Sequence, residues 1–131
     1  MCQRIPSVLV VDDDPQVLHF LADVLQLAGY GVTVASSGAV ALKMVDQQAP
    51  DLIVLDLSMP EPDGFEILQR LHNQEPDLRI LVISGFLSGI LLDAAIPLGA
   101  AAALQKPIEP ISLICAVGEL CGVPNQTARI G

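Results

Sequence analysis

Five short apolar runs recur along the chain, each too brief for a helix and too continuous for a strand with one wet face. They are Ser7 to Val11, Gly31 to Ala35, Asp51 to Leu55, Ile80 to Ile83 and Ala100 to Leu104. Such runs are found where helices cover both faces of a parallel sheet. The intervening segments carry helical spacing. Asp14 is placed as an N-cap and Pro15 at the first helical position, with Leu18, Leu21, Ala22 and Leu25 on one face and Gly29 as the stop. Ser36 or Ser37 caps a second helix carrying Val40, Ala41, Met44 and Val45, which ends before Pro50. A third is expected from about Gly64 to His72, a fourth from about Leu87 to Leu98, and a fifth after Pro107 with Ile111, Ile114, Cys115 and Val117 inward. Strands alternating with helices in this way wind doubly, because right-handed crossovers place helices on both faces. The fold class is therefore α/β, a doubly wound five-stranded parallel sheet with five helices, and its ligand site is expected beyond the carboxyl ends of the strands.

The chain's 131 residues suit one domain, expected over residues 1–123, with 124–131 as a tail or the start of a linker. Hydrophobic residues make up 52% and charged ones 16%, which argues for a well-buried chain and against disorder. A formal charge of -9 without any basic run argues against direct nucleic-acid binding. Cys2, Cys115 and Cys121 form no close pair of the redox or zinc type, so a reducing cytoplasm is expected, with Cys115 and Cys121 as small apolar residues of a helix face. The N-terminus passes from Arg4 and Pro6 straight into a strand, unlike a signal peptide. Asp93 is the sole charge between Arg79 and Lys106, but a central Asp costs roughly 3 kcal/mol in a bilayer, and Ser84, Gly85, Gly89, Pro97 and Gly99 interrupt the stretch. Strand, helix, strand is the better reading, and no membrane association is expected.

Four of the apolar runs end in polar groups at the same edge: Asp12 and Asp13, then Asp56, then Ser84, then Lys106. The crossovers bring these distant residues to one pocket. Clustered carboxylates make a hard oxygen site of the kind magnesium prefers, and the ion offsets their mutual repulsion. A carboxylate at that ion can attack phosphorus and form an acyl phosphate. The charge that then spreads over the transferred oxygens needs cations and donors, which Lys106 and the Ser84 hydroxyl would supply. Alone, Asp12 to Asp14 would read as an N-cap cluster, Asp56 as a strand end, Ser84 as a turn and Lys106 as a surface lysine. Their joint placement favours the site, and only Asp14 keeps the capping role.

At these residues the chain resembles the response regulator receiver domains of two-component phosphorelay signalling. The resemblance is carried by VLVVDDDP at 8–15, DLIVLDLSMPEPDG at 51–64, ILVISG at 80–85 and LQKPI at 104–108, in order across nearly the whole chain. It implies the flavodoxin-like strand order 2-1-3-4-5. It implies that Asp56 accepts a phosphoryl group from a histidine kinase or a histidine phosphotransfer protein, and that the domain signals by conformational change and altered protein interactions. Asp12, Asp13, Asp56 and the Ser58 carbonyl would hold Mg2+, with Asp13 a direct ligand and Asp12 acting through water. Ser84 would be the hydroxyl that meets the phosphate, and Lys106 the phosphate-binding cation before a cis proline, Pro107. Docking of the donor is expected along the first helix. No enzyme activity beyond self-phosphotransfer and slow self-dephosphorylation is expected. His19 and His72 are assigned structural roles, and Met59, Pro60 and Gly64 shape a loop.

Two departures from the family bear on function. Receivers commonly carry Tyr or Phe three residues before the lysine, where this chain has Ala103, so Phe86 would substitute for the ring or the switch would differ. The fourth-helix and fifth-strand region offers only Asp93 as a charge, which predicts a hydrophobic partner or a homodimer through the face formed by the fourth helix, fifth strand and fifth helix. The rival readings are a receiver-like interaction module uncoupled from phosphorylation, and a hydrolase of related topology. The latter wants an acid two residues after its nucleophile, where Ser58 stands.

Overall fold

A computed structural model describes residues 5–58, 64–85 and 94–124. Its strands are β1 (Ser7–Val11), β2 (Gly31–Ala35), β3 (Leu52–Asp56), β4 (Arg79–Ser84) and β5 (Ala102–Gln105). They form one parallel sheet in the order β2-β1-β3-β4-β5. The first two strands have the bounds read from sequence, β3 and β5 are shifted by a residue or two toward their carboxyl ends, and β4 is one residue longer at each end. Strand alternation divides the core in two. Val8, Val10, Leu52, Val54, Leu81 and Ile83 face one side, and Leu9, Val11, Ile53, Leu55, Ile80 and Val82 face the other. β1, β3 and most of β4 are buried on both faces, while β2 and β5 lie at the edges and are partly exposed.

Helix α1 (Pro15–Leu27) begins where expected, because the Asp14 carboxylate accepts from the Gln16 N–H and Pro15 has no N–H left to satisfy. It buries Leu21, Ala22 and Leu25 on the same side as the C-terminal helix (Pro110–Cys121). Helix α2 (Gly38–Gln47) is capped by Ser37, whose hydroxyl accepts from the Val40 N–H, and α3 (Gly64–Gln74) packs beside it on the opposite face.

Among the described residues there are four α-helices. The expected fourth helix falls mostly outside them, and the described end of that span forms a short 3-10 turn, Ile96–Leu98. The C-terminal helix exists as expected and buries Val117 as placed, but its buried stripe runs through Leu113 and leaves Ile111 and Cys115 outside. Leu113 and Val117 are buried, whereas Ile111 is 72% exposed and Cys115 also points to solvent. The reason is that this helix is apolar nearly all round, so packing against α1 and the sheet, and not hydropathy period, selects its buried stripe.

The sheet's amino edge is tied together separately from the core. Ser7 and Asp51 exchange hydrogen bonds, the Tyr30 hydroxyl donates to the Gly122 carbonyl at 2.9 Å, and Arg79 donates to the Leu120 carbonyl. The last two contacts satisfy carbonyls that the C-terminal helix leaves open at its end.

Candidate functional site

The carboxyl edge of the sheet gathers the polar residues that the sequence placed there. Main-chain bonds continue the ladder just past the strands: Asp12 N–H to the Ala35 carbonyl, Leu57 N–H to the Ile83 carbonyl, and Lys106 N–H to the Ser84 carbonyl. These bonds fix the backbones from which Asp12, Asp56, Ser84 and Lys106 project. The start of α3 lies very close to the end of β3. A Cβ at Gly64 would lie 2.5 Å from both the Cα and the carbonyl oxygen of Leu57, so only glycine lets α3 start against the backbone that carries Asp56 and Ser58.

Asp12, Asp56 and Ser84 are buried, at 0, 2 and 0% exposure, while Asp13 is exposed. Each buried carboxylate divides its two oxygens in the same way. Asp12 Oδ1 accepts from the Asp14 N–H at 2.9 Å and its Oδ2 from Lys106 Nζ at 3.1 Å. Asp56 Oδ1 accepts from the Ser58 N–H at 2.9 Å and the Ser58 hydroxyl at 2.7 Å, and its Oδ2 from Lys106 Nζ at 3.3 Å. The Ser58 hydroxyl also lies 3.1 Å from that of Ser84. Lys106 reaches over Gly85 from a residue joined to Pro107 by a cis peptide bond.

The electrostatics follow from this crowding. Burial, reinforced by the charge of Asp56, lifts the Asp12 carboxyl above the ordinary aspartate value although Asp14 N–H and Lys106 oppose it. Burial alone would lower the Lys106 ammonium, but the charges of Asp56 and Asp12 outweigh it and the net shift is upward. Among the described residues one ammonium faces three acids, because Asp12, Asp13 and Asp56 can each offer an oxygen within 4.8 Å of the others'. A set of hard carboxylate oxygens with unbalanced negative charge fits a magnesium ion better than any soft-ligand metal. The cleft holds about 300 Å³ and is lined by these acids with Asp14, Ser58, Gly85 and Lys106. An apolar groove of about 630 Å³ adjoins it, between Val17 and Phe20 of α1 and Pro107 and Ile108.

The structure thus brings together Asp12, Asp13, Asp56, Ser58, Ser84 and Lys106. Sequence reasoning missed the hydrogen bonds that the Ser58 hydroxyl makes to Asp56 and Ser84. The signal was there: a hydroxyl two residues after an aspartate is the spacing of a side-chain turn. Ala103 is half-buried in register with Val82, against the core under α2 and α3. Phe86, Met59, Pro60 and Asp93 lie outside the described residues. No helix among the described residues is long and apolar enough to cross a membrane.

The family model for the response regulator receiver domain matches residues 8–118, and the chain belongs to that family. It is 37% identical over 123 residues to the transcriptional regulatory protein PrrA of Mycobacterium tuberculosis, covering 94% of this chain and 53% of PrrA. The chain therefore spans about half the length of that relative. Among solved structures, a putative response regulator from Chloroflexus aurantiacus superposes with a TM-score of 0.84 at 32% identity, over 90% of this chain and 98% of its own. A CheY-like receiver domain protein from Methanospirillum hungatei gives 0.83 at 26%, over 88% and 93%. The protein is thus a receiver domain of two-component signalling, with the flavodoxin-like strand order expected of it.

Proposed function

We propose that this domain accepts a phosphoryl group on Asp56 in a magnesium-dependent reaction, from a phosphohistidine of a sensor histidine kinase or phosphotransfer protein. The observation that carries the reading is the convergence at Lys106, whose ammonium bonds two buried carboxylates that are distant in sequence. An Asp56 oxygen would form a bond to phosphorus as the phosphorus–nitrogen bond breaks, with the electron pair returning to the imidazole of the donor. Lys106 and the Ser84 hydroxyl would meet the charge on the transferred oxygens. Asp12, Asp13, Asp56 and the Ser58 carbonyl would hold Mg2+, which supplies further charge neutralisation there.

The apolar groove beside α1 supports donor docking along that helix, and exposed Ile111, Cys115 and Ile96 support a homodimer or hydrophobic partner on the face containing β5 and the C-terminal helix. A monodisperse monomer at high concentration, with and without phosphorylation, would count against self-association. The remaining parts of the reading are residues 1–123 as the receiver and 124–131 as tail or linker, a cytoplasmic location, no direct nucleic-acid contact by this domain, and only slow self-dephosphorylation. The uncoupled interaction module is the less favoured reading, since every polar residue of the acceptor site is in place.

The test is an intact-mass measurement after treatment with acetyl phosphate. Wild type with magnesium should gain one phosphoryl group, while wild type in chelator and Asp56→Asn should gain none. Equal gain by Asp56→Asn would refute Asp56 as the acceptor.

A further inference from the structure

The Ser58 hydroxyl does more than its turn requires. The Ser58 N–H already bonds Asp56 Oδ1 at 2.9 Å, and that main-chain bond would close the same turn with any residue at 58. The hydroxyl adds a second, shorter bond to the same oxygen, at 2.7 Å, and lies 3.1 Å from the Ser84 hydroxyl. A hydroxyl has one proton, and an ionised carboxylate can only accept. With the Ser58 proton directed at Asp56, Ser84 is the donor between the two serines. The order is Ser84 to Ser58 to Asp56, a chain of polarised hydrogen bonds in a site where Ser84 and Asp56 are both buried.

We infer that Ser58 is a positioning residue that holds the Ser84 hydroxyl toward the acceptor carboxylate before any phosphoryl group arrives. This rests on the reading of Asp56 as phosphoacceptor. It gives Ala103 a physical context: a ring at that position is not needed to bring Ser84 toward the site when Ser58 already tethers it there. The hydroxyl pair then restricts the rotamer that Ser84 would otherwise have to adopt on binding, and preorganisation of this sort appears as affinity.

Two measurements test this, and the first needs no magnesium. Three-bond couplings between the α and β protons of Ser84 report its rotamer in the free protein. Wild type should show one fixed rotamer, Ser58→Ala averaged couplings, and Ser58→Thr, which keeps the hydroxyl, fixed couplings again. Averaged couplings in wild type, or fixed ones in Ser58→Ala, would overturn the inference.

The second measurement is the Kd for beryllofluoride, a phosphoryl mimic, in saturating magnesium. Ser58→Ala and Ser84→Ala should each weaken binding about tenfold, the scale of one hydrogen bond to a charged group. Because they act through one chain, the double variant should fall well short of the product of the two losses. Losses that multiply, or unchanged affinity in Ser58→Ala, would refute the coupling. The mass experiment is independent. If wild type takes a phosphoryl group while the Ser84 rotamer ignores Ser58, the phosphoacceptor reading survives and this inference does not. If Asp56 takes none, both fall.

Discussion

Replacing Lys106 by methionine keeps the stem and removes the charge that balances the carboxylate cluster. Its side chain is 22% exposed, while those of its partners Asp12 and Asp56 are 0 and 3% exposed. Removing one partner of a fully buried ion pair costs about 3–5 kcal/mol. Lys106 retains some contact with water, so a loss of about 2–3 kcal/mol is expected in chelator, or roughly 10 °C in Tm for a domain of this size. Adding Asp12→Asn to Lys106→Met should return much of that loss, since it removes one of the charges left unbalanced. Magnesium should also bind the Lys106→Met variant more tightly than wild type, because the ion no longer meets an ammonium in the same cluster. Differential scanning calorimetry in chelator and across a magnesium titration reads all three effects. Lys106→Met melting within about 2 °C of wild type in chelator would refute the view that this ammonium holds the acids together.

Titration gives that prediction a second axis. The folded value of Lys106 lies above lysine's ordinary 10.5, so its contribution is complete below that pH and is lost as pH rises through the folded value. Wild type should therefore lose stability in this alkaline range more steeply than Lys106→Met. Asp12 is raised as well, so its protonated form favours folding. Its contribution is present below the ordinary 3.8 and is lost as pH rises through the folded value. Asp12→Asn should accordingly stabilise the metal-free protein at neutral pH.

Three further outcomes follow from other contacts. Gly64→Ala should destabilise by about 3 kcal/mol, the upper range for overpacking, because its Cβ would strike the Leu57 backbone; it should also weaken magnesium binding, and a variant with unchanged melting and metal affinity would refute the close approach. Tyr30→Phe should cost about 1 kcal/mol in urea unfolding through loss of the bond to the Gly122 carbonyl, and no loss would show that bond to be idle. The Cys121 thiol is pushed up to about 11 by burial first and Asp51 second, with Arg79 opposing. Iodoacetamide at pH 8 should therefore modify exposed Cys115 well before Cys121, and peptide mapping that finds the reverse order would refute the assignment.

The parts of the fold legible in sequence were those that local chemistry decides. Asp14 and Pro15 announce α1, Ser36 or Ser37 announces α2, and the continuous runs at β1 and β3 suit a doubly covered sheet. The C-terminal helix shows the limit. PISLICAVGELC has too little polar contrast to define a face, so Ile111 and Cys115 were placed inward and stand outward. At the site, the convergence of Asp12, Asp56, Ser84 and Lys106 followed from topology, because each closes a strand at one edge. The pairing of atoms did not. Nothing in the order of residues says that Lys106 divides itself between Asp12 and Asp56, or that a serine hydroxyl joins two others, since those choices depend on rotamers set by surrounding packing.

The C-terminal helix starts four residues after Lys106 and finishes at the sheet's opposite edge, where Arg79 and Tyr30 grip the carbonyls of Leu120 and Gly122. Twelve residues make a rod of about 18 Å. A rod gripped at its far end pivots more readily than it slides. A small displacement near Lys106 would therefore emerge as a tilt, largest at Ile111 and fading toward Gly118, so the part of the helix surface that moves most is the part that is apolar and open to solvent.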